Sequence, residues 1–225
     1  MSKNFDKTLK LTVDILNKNK INYWICHGTL LGLIRNKKLI SKTSDIDIGI
    51  WKNNSEKKKI IKIFKKKNFK IKKKFFKNDG LLTLKKNNYR DIDISFYEST
   101  KNEKEVFFRN YHFRNFICRI IDVLAKSKKY NGNYSLIVNR FSFLEFFAKQ
   151  LKRYLINKNY FYAQFGYFVP KKFFLNLKYI KIYNLQIRIP KYYYDYLKCV
   201  YGQNWRQPAK NFNWIKDSPC VRKIK

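Results

Sequence analysis

The sequence predicts an α+β fold in which a mixed β-sheet is flanked by helices, and three observations favour it. Apolar residues recur at helical spacing near the N-terminus, in residues 6–19. Two later segments, 45–51 and 89–98, alternate aspartate with isoleucine as half-buried strands do. The second half of the chain is rich in aromatic residues and largely helical in pattern. Because no linker rich in Pro, Gly or Ser interrupts the chain, we expect one domain over residues 1–225.

The N-terminal half is expected to alternate helices with strands, starting with a helix in which Leu9, Val13 and Leu16 share one face. Gly28 is expected to end the first strand before a short helix begins. The elements predicted in this half are a helix over 6–19, a strand over 21–26, a helix over 29–35, a strand over 45–51, a helix over 55–69, strands over 70–76 and 81–88 joined by a turn at 77–80, and a strand over 89–98.

The C-terminal half is predicted to contain a long aromatic helix over 141–156 and a pair of strands within 177–190. A Tyr-rich helix is expected to follow within 191–208. We divide the single domain into a catalytic core of about 6–100, helical and substrate-cleft elements of about 101–210, and a basic tail over 211–225.

The strong positive charge has two interpretations. The chain has 51 Lys and Arg against 15 Asp and Glu, a net charge of +36. Lys, Asn, Ile, Phe and Tyr are enriched together, which is typical of AT-rich codon usage, so part of the charge reflects composition. The remainder favours ligands that carry phosphate. The charge alone does not separate small phosphorylated molecules from nucleic acid.

The cysteines indicate a reducing compartment. Cys26, Cys118, Cys199 and Cys220 are widely spaced, and the chain has only two histidines, so no zinc-binding spacing can be written. We expect thiols and not disulfides. The N-terminus shows no apolar signal segment, and no run approaches the roughly 18 apolar residues of a membrane span. The expected location is cytoplasmic, with a basic surface that is compatible with peripheral contact to anionic membranes.

Two aspartates within an otherwise apolar strand indicate that a cation binds beside them. Asp45 and Asp47 project from the same face of the predicted strand, about 6–7 Å apart, so a cation must offset their repulsion. That cation is either a lysine or a metal ion such as Mg²⁺, which prefers hard oxygen ligands. Asp93 lies on a later strand and is positioned to act as a third acid. Asp91 shares its face and is not excluded from that role.

The stretch "YWICHGTLLGLIRNKKLI…SDIDIG" resembles the signature of the LicD/fukutin family within the nucleotidyltransferase-like superfamily. A second block, residues 169–208, is similar to the C-terminal pattern of that family. There a strand pair leads to a Pro, a Tyr-rich helix and a Tyr-Gly-x-x-Trp-x-x-Pro element. In this chain the element consists of Tyr201, Gly202, Trp205 and Pro208.

The resemblance implies a nucleotidyltransferase-like fold and an enzyme that depends on Mg²⁺ or Mn²⁺. The implied reaction transfers a phospho-substituted group, such as phosphocholine or an alditol phosphate, from a CDP-linked donor to a sugar or glycan hydroxyl. The implied metal ligands and catalytic residues are Asp45, Asp47 and Asp93. Gly28, Thr29 and Arg35 are implied to contact the donor phosphates, and His27, Tyr201 and Trp205 are further candidates for substrate contact.

The chain departs from the family at one motif. The family usually carries Pro-Trp-Asp-Asp before the Asp-x-Asp pair, and this chain has Ser-Lys-Thr-Ser at 41–44. The alternative hypothesis is therefore a catalytically degenerate basic protein that binds nucleic acid or phosphate on the same scaffold. The net charge is thus compatible with nucleic acid as a partner, whereas the aspartates do not favour it.

Overall fold

The computed structural model describes residues 6–41, 45–72, 80–127, 135–182 and 184–224. The chain divides into two compact units, one formed by residues 1–110 and 166–222 and the other by residues 111–165 and 223–225. This division does not test whether the chain is one domain, so the single-domain expectation stays a prediction.

The first unit contains most of the strands. Its elements are α1 (Lys7–Lys18), β1 (Tyr23–Ile25), α2 (His27–Asn36), β2 (Asp45–Trp51), α3 (Asn54–Lys66), β3 (Lys70–Ile71), β4 (Leu81–Lys85), β5 (Asp91–Ser99), β6 (Glu105–Phe107), β9 (Val169–Pro170), α7 (Lys172–Leu175), β10 (Leu177–Ile182), β11 (Leu185–Pro190), α8 (Tyr193–Tyr201) and α9 (Trp214–Asp217).

The second unit contains α4 (Phe116–Leu124), α5 (Ser135–Arg140), a 3-10 helix (Ser142–Leu144) and α6 (Glu145–Asn157). Three further strands lie at the unit boundaries: β7 (Arg109–Phe113), β8 (Tyr162–Tyr167) and β12 (Val221–Lys223). Within this unit, the carboxylate of Asp122 on α4 accepts hydrogen bonds from Lys126 and from Lys152 on α6. This charge pairing ties the two helices together.

The main sheet of the first unit is mixed, as predicted. Its strand order is β1-β2-β5-β4-β3, and β6 and β9 extend it from β5. Strands β2 and β5 are parallel, whereas β1 and β4 run antiparallel to them. The strands expected at 21–26, 45–51 and 89–98 are present as β1, β2 and β5 and are neighbours in this sheet. The expected turn at 77–80 lies mostly outside the described residues, but β3 and β4 on either side of it do pair antiparallel.

Helix α1 packs into the hydrophobic core through the face that the periodicity predicted. Leu9, Val13 and Leu16 are fully buried, and the Asp6 carboxylate caps the helix by accepting bonds from the backbone N–H groups of Thr8 and Leu9. The predicted helix over 6–19 is therefore confirmed, with a start and an end one residue inside the expected ones. Burial of three branched side chains supplies several kcal/mol, at roughly 1.5–3 kcal/mol for each.

Helix α2 begins earlier than expected. His27 and Gly28 form its first turn, where the sequence suggested that Gly28 would separate strand from helix. His27 has a φ of 44°, so the left-handed residue at this junction is the histidine. Ring contacts hold that strained residue in place, since His27 lies against Tyr167 and Phe108.

Close packing between β1 and β2 explains the glycine at position 49. A Cβ on Gly49 would lie 2.1 Å from the indole nitrogen of Trp24, which is fully buried. The Trp24 ring also stacks on Phe174. Only a residue without a side chain lets this indole cross the sheet at β2.

The remaining predicted elements differ from the structure mainly at their ends. The strand pair within 177–190 is present as the antiparallel hairpin β10–β11, and the helix over 141–156 is a 3-10 turn followed by α6. The described residues contain no helix that is long and apolar enough to cross a membrane. All four cysteines are thiols, as expected.

Candidate functional site

Four aspartates form a cluster on neighbouring parallel strands, here called the aspartate quartet: Asp45, Asp47, Asp91 and Asp93. The register of β2 and β5 places Asp45 beside Asp91 and Asp47 beside Asp93. Since side chains alternate along a strand and parallel strands lie about 4.8 Å apart, all four carboxylates project from one face of the sheet. The isoleucines between them point to the opposite face and are fully buried. The sheet thus concentrates negative charge at one place in a strongly basic chain.

The electrostatics of the quartet show that this charge is poorly compensated. Burial raises the pKa of Asp47 to about 7, and the neighbouring charges of Asp45 and Asp93 add to the increase. Burial also raises the pKa of Asp45, with a further contribution from the charge of Asp91. A carboxyl group whose pKa lies this high is one that a bound cation would ionise. The cluster is therefore suited to a positively charged ligand.

Thr29 holds Asp47 in position. Both the backbone N–H and the hydroxyl of Thr29 donate to Oδ2 of Asp47, at 3.0 and 3.1 Å. In return the backbone N–H of Asp47 donates to the Thr29 hydroxyl at 2.8 Å. The first turn of α2 is thus joined to β2 by three hydrogen bonds. Thr29 is 1% exposed, so its donors contact a carboxylate where the sequence suggested a donor phosphate.

Asp91 and Asp93 have different surroundings. Asp91 forms an ion pair with Lys85 of β4 at 3.2 Å, and its side chain is 25% exposed. One oxygen of Asp93 is shielded from solvent. Arg90, the sequence neighbour of Asp91, donates from its guanidinium to Asp6 before α1, at 2.7 Å. The ion pair of Asp91 is therefore with a lysine from the adjacent strand.

His27 is a packed residue. Its Nε2 lies 3.0 Å from the hydroxyl of Tyr97, and its Nδ1 lies 3.3 Å from the hydroxyl of Tyr196. Burial lowers the pKa of His27 to about 3, so the imidazole is neutral. A neutral imidazole donates from one nitrogen and accepts at the other, which suits two hydroxyl partners. These contacts are those of a packed side chain, and the substrate contact suggested for His27 stays a prediction.

A cavity of about 460 Å³ lies beside the N-terminus of α2. It is lined by several residues that the sequence singled out: Gly28, Arg35, Tyr201, Trp205 and Pro208. Nη1 of Arg35 donates to the backbone carbonyl of Trp205 at 3.3 Å, which fixes the guanidinium at the cavity wall. The Trp205 side chain is only 5% exposed, so it both packs in the core and lines the cavity.

Tyr201 connects the cavity to the quartet. Burial raises the pKa of Tyr201 far above its usual value, and the charges of Asp47 and Asp45 contribute to that increase. The tyrosine hydroxyl therefore lies within electrostatic reach of both aspartates.

The residues present fit a divalent cation that is shared with a substrate. Proteins commonly hold Mg²⁺ with one or two carboxylates while phosphate oxygens complete the coordination, and Asp45 with Asp47 is such a pair. Within the described part of the chain, no group of three or more His, Cys, Asp or Glu side chains is placed to hold a metal ion by itself. The assignment of Asp93 as a ligand stays a prediction. Positions 42–44 of the departing motif lie outside the described residues.

Sequence reasoning missed Lys85 and the two tyrosines beside His27. No local pattern identifies them, because they reach the site from β4, β5 and α8. The repeated Asp-Ile-Asp-Ile motif was visible in the sequence and did signal that two strands share one face pattern. The motif did not indicate that the two strands pair in a register that places Asp45 beside Asp91 and Asp47 beside Asp93.

Comparison with known proteins finds a family model that matches the segment carrying the quartet. Residues 20–117 match a family model described as "LicD/FKTN/FKRP, nucleotidyltransferase domain". This segment includes β2 and β5, the two strands that carry the quartet. The resemblance to the LicD/fukutin family that the sequence suggested is thus confirmed for residues 20–117.

Individual relatives are more distant. The human ribitol-5-phosphate transferase FKTN is 23% identical over 223 residues, which are 98% of this chain and 37% of the relative. The mouse protein of the same name is 21% identical over 95% of this chain and 36% of its own length. The chain thus spans little more than a third of these relatives. An uncharacterized protein of Rickettsia prowazekii, RP689, is 50% identical over 42 residues, 19% of this chain and 16% of its own length.

Among solved structures, the lincosamide antibiotic adenylyltransferase LnuA with bound lincomycin aligns with a TM-score of 0.44 and 14% identity. The alignment covers 82% of this chain and 79% of that one.

Proposed function

We propose that this protein is a metal-dependent transferase. It moves a phosphocholine-like or alditol-phosphate-like group from a CDP-linked donor to a sugar or glycan hydroxyl. The observation that carries the proposal is the aspartate quartet, in which burial and like charges raise the pKa of Asp47 to about 7. The family match and the likeness to ribitol-5-phosphate transferases support the same reaction class.

The side chains of the quartet have separate roles in this proposal. Asp45 and Asp47 would hold Mg²⁺ or Mn²⁺, which would supply positive charge against the donor pyrophosphate. Thr29 keeps the Asp47 carboxylate oriented through its two donors. Thr29 therefore acts as a positioning residue for Asp47.

Asp93 acts as the general base. It accepts the proton of the acceptor hydroxyl as the hydroxyl oxygen attacks the phosphorus that carries the transferred alcohol. The bond between that phosphorus and the CMP oxygen breaks, and CMP leaves with the bonding electrons. Asp93 suits this role better than Asp91, since the Asp91 carboxylate already forms an ion pair with the Lys85 ammonium.

The cavity beside α2 holds the donor. Gly28 offers backbone without a side chain at its wall, and Arg35 supplies a guanidinium that the Trp205 carbonyl orients. Tyr201 lies between the cavity and the aspartates. The donor is thus bound with its organic part in the cavity and its pyrophosphate toward the quartet.

A donor screen tests the proposal directly. CDP-choline and a CDP-alditol are incubated with the full chain and Mg²⁺ or Mn²⁺, and CMP release is measured. We expect release that EDTA abolishes and that Asp45→Asn removes. A variant that retains wild-type turnover in excess Mg²⁺ would refute the metal assignment.

The alternative, a degenerate protein that binds nucleic acid, is favoured only by the net charge of +36. Polynucleotide binding weakens steeply with salt because counterions are released, whereas donor binding through a metal responds mainly to chelation. An absence of CMP release together with salt-sensitive RNA binding would establish the alternative.

A further inference from the structure

A second feature of the molecule lies outside the quartet, in the helical segment between residues 116 and 154. Seventeen large hydrophobic side chains are exposed among the described residues, and eleven of them belong to the helical segment between 116 and 154. We call these eleven residues the apolar helical surface: Phe116, Ile117, Ile120, Leu136, Ile137, Phe141, Phe143, Phe146, Phe147, Leu151 and Tyr154. Such a concentration on one unit marks an interaction surface, since isolated exposed hydrophobics are ordinary but clusters are not.

The helices of this segment expose apolar faces that are distinct from their packing faces. On α6, Phe147, Leu151 and Tyr154 follow i, i+4, i+7 spacing and therefore share one face, whereas Ala148 is buried. On α4, Phe116 and Ile120 are exposed while other residues of the helix pack inward. Helix α5 has no buried residue at all. Each helix thus presents apolar side chains that the fold of this unit does not use.

The charge of the same segment identifies the occupant. Residues 111–127 and 135–165 contain eight Lys and Arg but only two acids, Asp122 and Glu145. Both acids are neutralised within the unit, Asp122 by Lys126 and Lys152, and Glu145 by Lys149. The surface therefore presents apolar and positively charged groups with no uncompensated acid among its described side chains. Charge complementarity requires a negatively charged partner that also accepts apolar side chains.

We propose that the apolar helical surface docks on the face of an anionic lipid bilayer. Amphipathic helices with Phe and Leu on one side and Lys or Arg beside them lie in the plane of the interface, with the apolar side chains in the acyl boundary. The absence of a spanning helix among the described residues agrees with surface binding. Anionic headgroups attract each nearby basic side chain.

Two other occupants fit the observations less well. A second copy of this chain would bring two positively charged surfaces together. A polynucleotide would use stacked aromatic rings but would leave the aliphatic members, such as Leu136 at 84% exposure and Ile137, in water. The proposal does not depend on the transferase assignment.

The test replaces one exposed apolar side chain by serine, which leaves the net charge unchanged. Phe147 is 68% exposed, and Leu175 on α7 of the first unit is 63% exposed, so Phe147→Ser and Leu175→Ser form a matched pair. Binding of the full chain to vesicles of phosphatidylcholine with 30% phosphatidylserine is measured by co-sedimentation in about 0.15 and 0.5 M NaCl. Thermal unfolding shows that both variants are folded.

We expect Phe147→Ser to weaken vesicle binding roughly tenfold. The corresponding change in binding free energy is about half of what complete burial of a phenylalanine side chain supplies. Leu175→Ser should bind as the wild type does. Arg153→Gln should weaken binding to the anionic vesicles about fivefold and leave the weak binding to pure phosphatidylcholine unchanged. Asp47→Asn should bind vesicles normally, which separates this test from that of the transferase.

Three results would overturn the proposal. Binding that high salt abolishes entirely and that Phe147→Ser does not change would show attraction by net charge alone. Self-association that Phe147→Ser breaks, without vesicle binding, would assign the surface to a second copy. A Phe147-dependent affinity for a 30-nucleotide RNA in place of vesicles would assign it to nucleic acid.

Discussion

Replacing Asp47 by asparagine should stabilise the metal-free protein at alkaline pH. Burial and the charges of Asp45 and Asp93 raise the pKa of Asp47 from its model-compound value of 3.8 to about 7 in the folded state. A raised folded-state pKa means that the fold favours the protonated carboxyl group. The contribution of Asp47 to stability is therefore complete below about pH 4 and is lost as the pH rises through about 7.

The magnitude follows from the size of this shift. About three pKa units at 1.36 kcal/mol each give at most about 4 kcal/mol of unfolding free energy lost from the wild type by pH 8. Asparagine keeps an oxygen that accepts the two bonds from Thr29 but carries no charge. We expect Asp47→Asn to match the wild type within about 1 kcal/mol at pH 4.5 and to exceed its stability by about 2–4 kcal/mol at pH 8.

Urea unfolding at both pH values in EDTA measures the difference. Asp91→Asn is the matched control, because it is the same substitution on the same face, at a carboxylate that Lys85 already compensates. It should show no stabilisation at pH 8. Added Mg²⁺ should restore stability to the wild type at pH 8 and have little effect on Asp47→Asn. Parallel pH profiles for the wild type and Asp47→Asn would refute the reasoning, since Asp47 would then be compensated in the fold.

Three further predictions use other parts of the molecule. Asp93→Asn should lower CMP release at least about 10²-fold under saturating donor and metal, and Asp91→Asn much less; the reverse ranking would move the base role to Asp91. His27 has a pKa lowered to about 3 by burial, so stability is lost as the pH falls below about 6.5. His27→Gln should flatten that acid limb in urea unfolding by up to about 1.4 kcal/mol per pH unit, and unchanged slopes would contradict a buried neutral imidazole. Gly49→Ala should cost about 3 kcal/mol of unfolding free energy because its Cβ would overlap the Trp24 indole, and wild-type stability of this variant would be incompatible with that packing.

The association between the quartet and the cavity rests on a few tertiary contacts. Thr29 joins α2 to β2, and Arg35 at the other end of α2 bonds to the carbonyl of Trp205. The ten-residue helix α2 therefore contacts Asp47 near its start, and its residues Gly28 and Arg35 line the cavity. This arrangement explains why residues of the first and last parts of the chain meet at one site.

The sequence by itself determined the local features of this protein. The spacing of Leu9, Val13 and Leu16 was enough for helix α1, because helical periodicity is a property of neighbouring residues. In the same way the alternation in residues 45–51 placed Asp45 and Asp47 on one face of a strand. The mixed sheet and the resemblance of residues 20–117 to the LicD/fukutin family also followed from local motifs.

Only the tertiary structure decided how these local features meet. The register that sets Asp45 beside Asp91 depends on packing of the whole sheet, and no local pattern encodes it. The sequence neighbour of Asp91 is Arg90, yet the cation that pairs with it comes from β4, since an adjacent residue points to the other face of the strand. His27 is neutral because burial lowers its pKa, and the two tyrosines whose hydroxyls contact its ring come from 70 and 169 residues away. Burial and partners that are distant in sequence set the charge of each site residue, and both arise only when the chain has folded.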